Sequence, residues 1–349
     1  MKKKFILMVM LTIAVIISPL KVNASTVDES KVDSDGLVFI GWDPNVEVKV
    51  EEGIYYVTLT GDVKQDLIIN GDEEVVLDLN GHKFTNFTLS CEALKVLEGG
   101  KLTIIDSSGD NSGLVTHQEN STYSVITNLG TLIIKSGSFE TTQSFYVIRN
   151  EGNMTIDGGT FNSTSTDTSL IGNIKYELED VTPTMTINNG SFTAISNAIR
   201  NNVNSSVTIN NGSFVSENAF SLDNSATAVV NGGSLTSTNN SAIRNIVNNS
   251  NATETSLKVK NATLTSADGK DDYTIYDATL KKDVTDKYEI TTDADGNQVV
   301  VEKEVERPNT DDKVTNPNTL DNIYIYVIIG FVALIGITMT IFKLKRFNY

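Results

Sequence analysis

The chain has 349 residues, a formal net charge of −17, two histidines, one tryptophan and one cysteine. That acidic balance excludes a nucleic-acid partner, whose phosphates need a basic surface, and a lone Cys91 excludes a disulfide framework. Cys91 reads as a small buried hydrophobe rather than a nucleophile. His82 and His117 lack metal-pair spacing, and neither HExxH nor CxxC occurs.

In chain order, Lys2, Lys3 and Lys4 precede an apolar run from Phe5 to Ile17, and "VNA" places small residues before a cut after Ala24. This is the pattern of a secretory signal peptide, residues 1–24. Residues 25–52 follow and include "FIGWDPN". They are expected to cap the first coil, because a bare strand edge invites pairing. Trp42 serves that cap or a local core, or else stacks on a sugar.

A repeat then takes over. "TINNGSF" occurs at Thr186–Phe192 and again at Thr208–Phe214, 22 residues apart. The same template fits "LIIKSGSF", "MTIDGGTF", "AVVNGGSL" and, degenerately, "LKVKNATL"; "VVLDLNGHKF" and "KLTIIDSSG" fit it loosely upstream. The base step is about 22, with insertions that stretch two steps to 31 and 29. A second column runs in phase and ends at Asn128, Asn150, Asn173, Asn201, Asn224 and Asn245. Each coil therefore has a short strand ending in Asn, a second strand of alternating β-branched residues, a Gly turn, and a third strand begun by Phe. The period-two alternation buries one face. Glycine suits a turn with positive φ. Stacked coils would align Phe139, Phe161, Phe192 and Phe214 inside, and the Asn column would hydrogen-bond from coil to coil.

The expectation is an all-β chain: a single-stranded parallel β-helix (β-solenoid) over residues 53–270, with about eight coils spanning roughly 40 Å at one strand spacing each. An antiparallel sandwich is the competing arrangement. Residues 271–305 form a C-terminal hairpin or cap, with Asp295-Gly296 at the turn. "DADGN" lacks the full calcium-loop spacing, so a plain turn is expected. Residues 306–322 are a polar linker. Residues 323–342 are 20 charge-free residues, enough for a transmembrane helix. Lys343, Lys345 and Arg346 in the tail, 343–349, hold that end in the cytoplasm. Removing the four cations of 1–24 and the three of 343–349 leaves 20 Lys and Arg against 44 Asp and Glu, so the exported body carries −24.

The run from Val57 to Phe84, the "GGKLTIIDSSG" segment and the serial "TINNGSF" coils resemble the right-handed parallel β-helix surface proteins of Gram-positive bacteria, in the broad pectate-lyase-like fold group. The resemblance covers about residues 53–268. It implies the fold and its hand, but no activity, since that fold hosts lyases, hydrolases, adhesins and inert stalks. "NPNTLDN", the apolar span and the basic tail together resemble a cell-wall sorting signal. That likeness implies recognition of Asn316, Pro317, Asn318, Thr319 and Leu320 by a sortase-type transpeptidase. It also implies a cut between Thr319 and Leu320 and attachment to cell-wall peptidoglycan. Asn before Pro317 and Leu320 in place of the usual Gly depart from the common form. Without cleavage, the chain would stay in the membrane through 323–342.

Two outward sets are candidates for function. Asp78, Asp106 and Asp157 follow the last aliphatic of the second strand, and Asp78 and Asp106 are expected to be neighbours in adjacent coils. Paired carboxylates act as acid and base or hold Ca²⁺; the plainer reading is a turn column that bonds its own backbone. Arg149, Arg200, Asp223 and Arg244 each precede a ladder Asn. They form a ligand face for an acidic glycan or a host or matrix protein, or a solvated face with weak ion pairs. The GHG and RxK motifs of the fold group's hydrolases are missing. The expectation is a non-catalytic adhesin or display protein on the cell surface, with no cofactor and no metal. A surface-tethered polysaccharide lyase or hydrolase is the alternative.

Overall fold

The computed structural model describes residues 43–303, except 144, 179–180 and 253–254. These residues are all-β, apart from one short 3₁₀ turn at Thr285–Lys287. All but Lys303 belong to one compact unit, Met1–Glu302.

The chain passes through three sheets in turn and lays one strand in each per coil. The first coil is Ile54–Leu59, Val63–Lys64 and Leu67–Ile69, and the same cycle recurs until Tyr273–Asp277. Each sheet contains nine strands contributed by these coils, all parallel, which is consistent with a parallel β-helix. The repeat template foresaw eight of the nine coils. The extra one, Ile54 to Ile69, lacks the Gly-Ser-Phe signature, and its Val63 pairs with Phe84 of the next coil. The ninth third-sheet strand reaches Asp277, so the repeat runs past residue 270.

The interior is built from alternation. In the first sheet, Met185 and Ile187 point inward while Thr184 and Thr186 stay half-exposed. Phe139, Phe161, Phe192 and Phe214 are at most 1% exposed and stack with centroids 4.9, 4.7 and 4.6 Å apart and nearly parallel planes. The turn before each Phe needs glycine: Gly190 has φ +140°, and a Cβ there would stand 2.9 Å from Phe192 Cε2.

At the corner from the third sheet to the first, six buried asparagines form a ladder. Asn128, Asn150, Asn173, Asn201 and Asn224 each donate Nδ2–H to the Oδ1 of the next, at 2.7, 2.7, 2.9, 2.8 and 2.7 Å. The same amides donate to backbone carbonyls such as Ser206 O and Thr227 O. Buried backbone oxygens at the corner thus gain partners that the sheet ladders do not supply.

Both edges of the first sheet are closed by antiparallel strands. Val46–Glu51 pairs with Ile54–Leu59, and Gln298–Glu302 pairs with Ser256–Val259 and with Tyr288–Thr292. Tyr288–Thr292 and Gln298–Glu302 form a hairpin: Asp293 Oδ1 accepts the N–H groups of Asp295 and Asn297, and Gly296 has φ +80°. The expected signal peptide 1–24, Trp42, the expected sorting peptide Asn316–Leu320 and the expected span 323–342 lie outside the described residues. Among the described residues, no helix is long and apolar enough to cross a membrane.

Candidate functional site

The acidic set does not assemble as its spacing suggests. Asp78 pairs with Ile105 rather than Asp106, because the five-residue strands Glu74–Asp78 and Lys101–Ile105 pair residue for residue and Asp106 lies just past the strand end. Ile104 is buried and Ile105 is half-exposed, so Asp106 turns inward and is 7% exposed. Its carboxylate accepts N–H groups from Gly113 at 2.7 Å, Gly81 at 2.8 Å and Ser108 at 3.2 Å. Burial alone would raise its pKa; these hydrogen bonds outweigh burial and hold it below the usual carboxylate range. Asp78 Oδ1 accepts from Asn80 N and Ser107 N, 3.0 and 2.9 Å away. Asp157 ends an exposed side-chain chain: Asn231 donates to Asn210 (2.9 Å), Asn210 to Asn188 (2.8 Å) and Asn188 to Asp157 (2.7 Å). All three carboxylates tie one turn to another. Among the described residues, no group of three or more His, Cys, Asp or Glu is placed to hold a metal ion.

The basic set does assemble. The register of the third sheet aligns Lys95, Thr127, Arg149, Gly172, Arg200, Asp223 and Arg244 across seven successive coils. Arg244 donates from Nε and an Nη to the two oxygens of Asp223, at 2.8 and 2.7 Å. Its guanidinium lies 4.7 Å from the Phe220 ring centroid and 5.8 Å from that of Tyr276. Burial disfavours the Arg244 cation, and Asp223 more than restores it. Arg149 Nε lies 3.1 Å from Glu151 Oε1, an ion-pair contact without hydrogen-bond geometry, and its Nη pairs with Glu177. Tyr176 covers Arg149 at 5.3 Å, and Lys95 reaches Glu177 at 3.4 Å.

Tyr176 and Glu177 belong to the longer of the two insertions, between Asn173 and Thr184. This segment folds back over coils already laid down. Buried Glu151 accepts N–H groups from Tyr176 and Glu177. Thr127, on the outer column between Lys95 and Arg149, is fully buried. The outer face is covered at its early coils, Gly172 is buried beneath the Tyr146 ring, and Arg200 stands exposed.

Sequence reasoning found the four residues of this face but not their companions Tyr146, Gly172, Tyr176, Glu177 and Phe220. One signal was available: Tyr146 and Phe220 each stand four residues before a ladder Asn. Glu177 had none, because only the returning insertion brings it to Arg149 and Lys95. Cys91 is partly buried, and burial pushes its thiol up, away from nucleophilic character. Comparison of the chain with known protein families, with curated proteins and with solved structures returns no match.

Proposed function

We propose that this protein is a cell-surface adhesin or structural display protein, a right-handed β-helix held at the wall or membrane by its C-terminal segment, which works by binding or spacing rather than by chemistry. The hand follows the strong right-handed preference of parallel crossovers. One observation carries the reading: the polar side chains are used to build an ordered face. Asp106 serves three backbone N–H groups, the Asn columns serve one another, and the third sheet offers an aligned row that includes Lys95, Arg149, Arg200 and Arg244, with aromatic rings beside it. Export and anchoring rest on the sequence patterns of 1–24 and 316–349. Export would bring the chain to a sortase-type transpeptidase and to peptidoglycan.

The test is fractionation of cells producing the full chain, followed by assay of the recovered protein on acidic and neutral polysaccharides with and without Ca²⁺. Release with wall fragments by muramidase supports wall attachment, and retention in the membrane fraction supports the uncut form. Recovery in the cytosol, or formation of reducing or unsaturated sugar ends, would sink the reading.

A further inference from the structure

Lys95, Arg149 and Arg244 on the outer column are all paired with carboxylates. Arg200 is not: it is exposed, and among the described residues it forms no ion pair. Its register neighbours are Gly172, which has no side chain, and Asp223, whose two oxygens are already engaged by Arg244 from the far side.

The surroundings of Arg200 are shaped by one position in the repeat, four residues before the ladder Asn. There the chain carries Tyr146, Ser169, Asn197 and Phe220 in successive coils. The two aromatics lean over the following coil. The Tyr146 ring lies against Gly172, so close that a Cβ there would be 2.6 Å from its Cε1, and the Phe220 ring lies under Arg244. Between them, Ser169 and Asn197 are small or drawn down, with Asn197 Nδ2 donating to Ser169 Oγ at 3.2 Å. Arg200 thus stands in a notch with an aromatic wall on each side. Those walls are three coils apart, about 14 Å at one strand spacing per coil.

We infer that this notch binds the end of a glycan that carries a single carboxylate. The guanidinium offers the planar fork that takes a carboxylate through two parallel hydrogen bonds. Tyr146 and Phe220 provide apolar ring surface for the pyranose rings on either side. A polyanion is disfavoured because, among the described residues, Arg200 is the one cation of the column without an ion pair. Further anionic groups would meet partly exposed Glu177 in a chain of net charge −17. A peptide strand is disfavoured because the third-sheet strands here are hydrogen-bonded on both edges, leaving none for strand addition. The inference deepens the display reading by naming the ligand class of its open face.

The test is calorimetric titration of the purified full chain with sialyllactose, with its neutral parent lactose and with polygalacturonate. The expected result is binding of sialyllactose at least tenfold tighter than of either other probe, weakening as NaCl is raised. Arg200→Gln should bring sialyllactose down to the lactose level with an unchanged circular dichroism spectrum, and Arg200→Lys should lie between. Phe220→Ala should weaken sialyllactose and lactose alike. Absence of sialyllactose binding, binding indifferent to Arg200→Gln, or tighter binding of polygalacturonate would each overturn the inference. Its failure leaves the display reading standing, because fractionation and the polysaccharide assay test that reading without any ligand.

Discussion

Replacing Phe192 by Ala should open the interior of the coil stack where it is most regular. Phe192 is fully buried, between Phe161 at 4.7 Å and Phe214 at 4.6 Å, and its own ring edge packs against Gly190. Truncating a buried Phe to Ala costs about 3–5 kcal/mol through lost transfer energy and the cavity left behind. Here both neighbouring rings also lose a stacking partner, each contact contributing about 0.5–1.5 kcal/mol beyond area. Parallel strands above and below hold the backbone in place and prevent collapse, so the upper part of the range, about 4–5 kcal/mol, is expected. Phe192→Leu is the informative control, because the column already carries Leu235 beside Phe214. It should cost about 1–2 kcal/mol, mostly the lost ring stacking. Urea unfolding followed by far-ultraviolet circular dichroism gives both values, and hydrogen exchange at Thr160–Ser163 and Ser213–Ser216 shows whether the damage centres on adjacent coils, as nearest-neighbour coupling requires. If Phe192→Leu costs less than about 0.5 kcal/mol, the stacked rings contribute nothing beyond bulk and the reasoning fails.

Asn173→Ala should cost about 3 kcal/mol by urea unfolding, since it removes donors to Asn201 Oδ1 and Ser206 O and the acceptor of Asn150 in a fully buried corner; a loss under about 1 kcal/mol would mean the ladder is decorative. Asp106, whose folded pKa is lowered, contributes stability that is present above about pH 4 and lost as pH falls through its folded value. Asp106→Asn should therefore be destabilised at pH 7, with the gap to the unmodified protein narrowing towards pH 3; a constant gap in thermal melts would contradict this. His117 is 8% exposed with neither ring nitrogen hydrogen-bonded. Burial pushes its pKa down, and the nearby Ser124 backbone and Glu92 charge offset only part of this. The unfolded chain then takes up its proton first, so stability should fall as pH drops below about 6.5. His117→Thr, which continues the Thr141 position of the next coil, should flatten the melting temperature across that range.

The repeat, the faces and the columns are legible in the residue pattern alone. Period-two alternation and a 22-residue step leave few ways to bury Ile187 and Phe192, and the phase of Asn128 to Asn245 places amides over one another at a strand spacing. Those are local rules applied coil after coil, so one coil predicts the next. What the tertiary structure alone decided lies where coils differ. "LTIID" contains two adjacent isoleucines, and its alternation cannot tell which faces in; pairing with Glu74–Asp78 sets Ile104 inside and turns Asp106 from an outer carboxylate into a corner brace. Arg149, Arg200 and Arg244 look equivalent in sequence. They part company because Glu177 arrives from a folded-back insertion and Asp223 from the preceding coil, while among the described residues no carboxylate pairs with Arg200. Pairing across coils depends on side-chain reach between separate turns of the chain, and no local pattern encodes that distance.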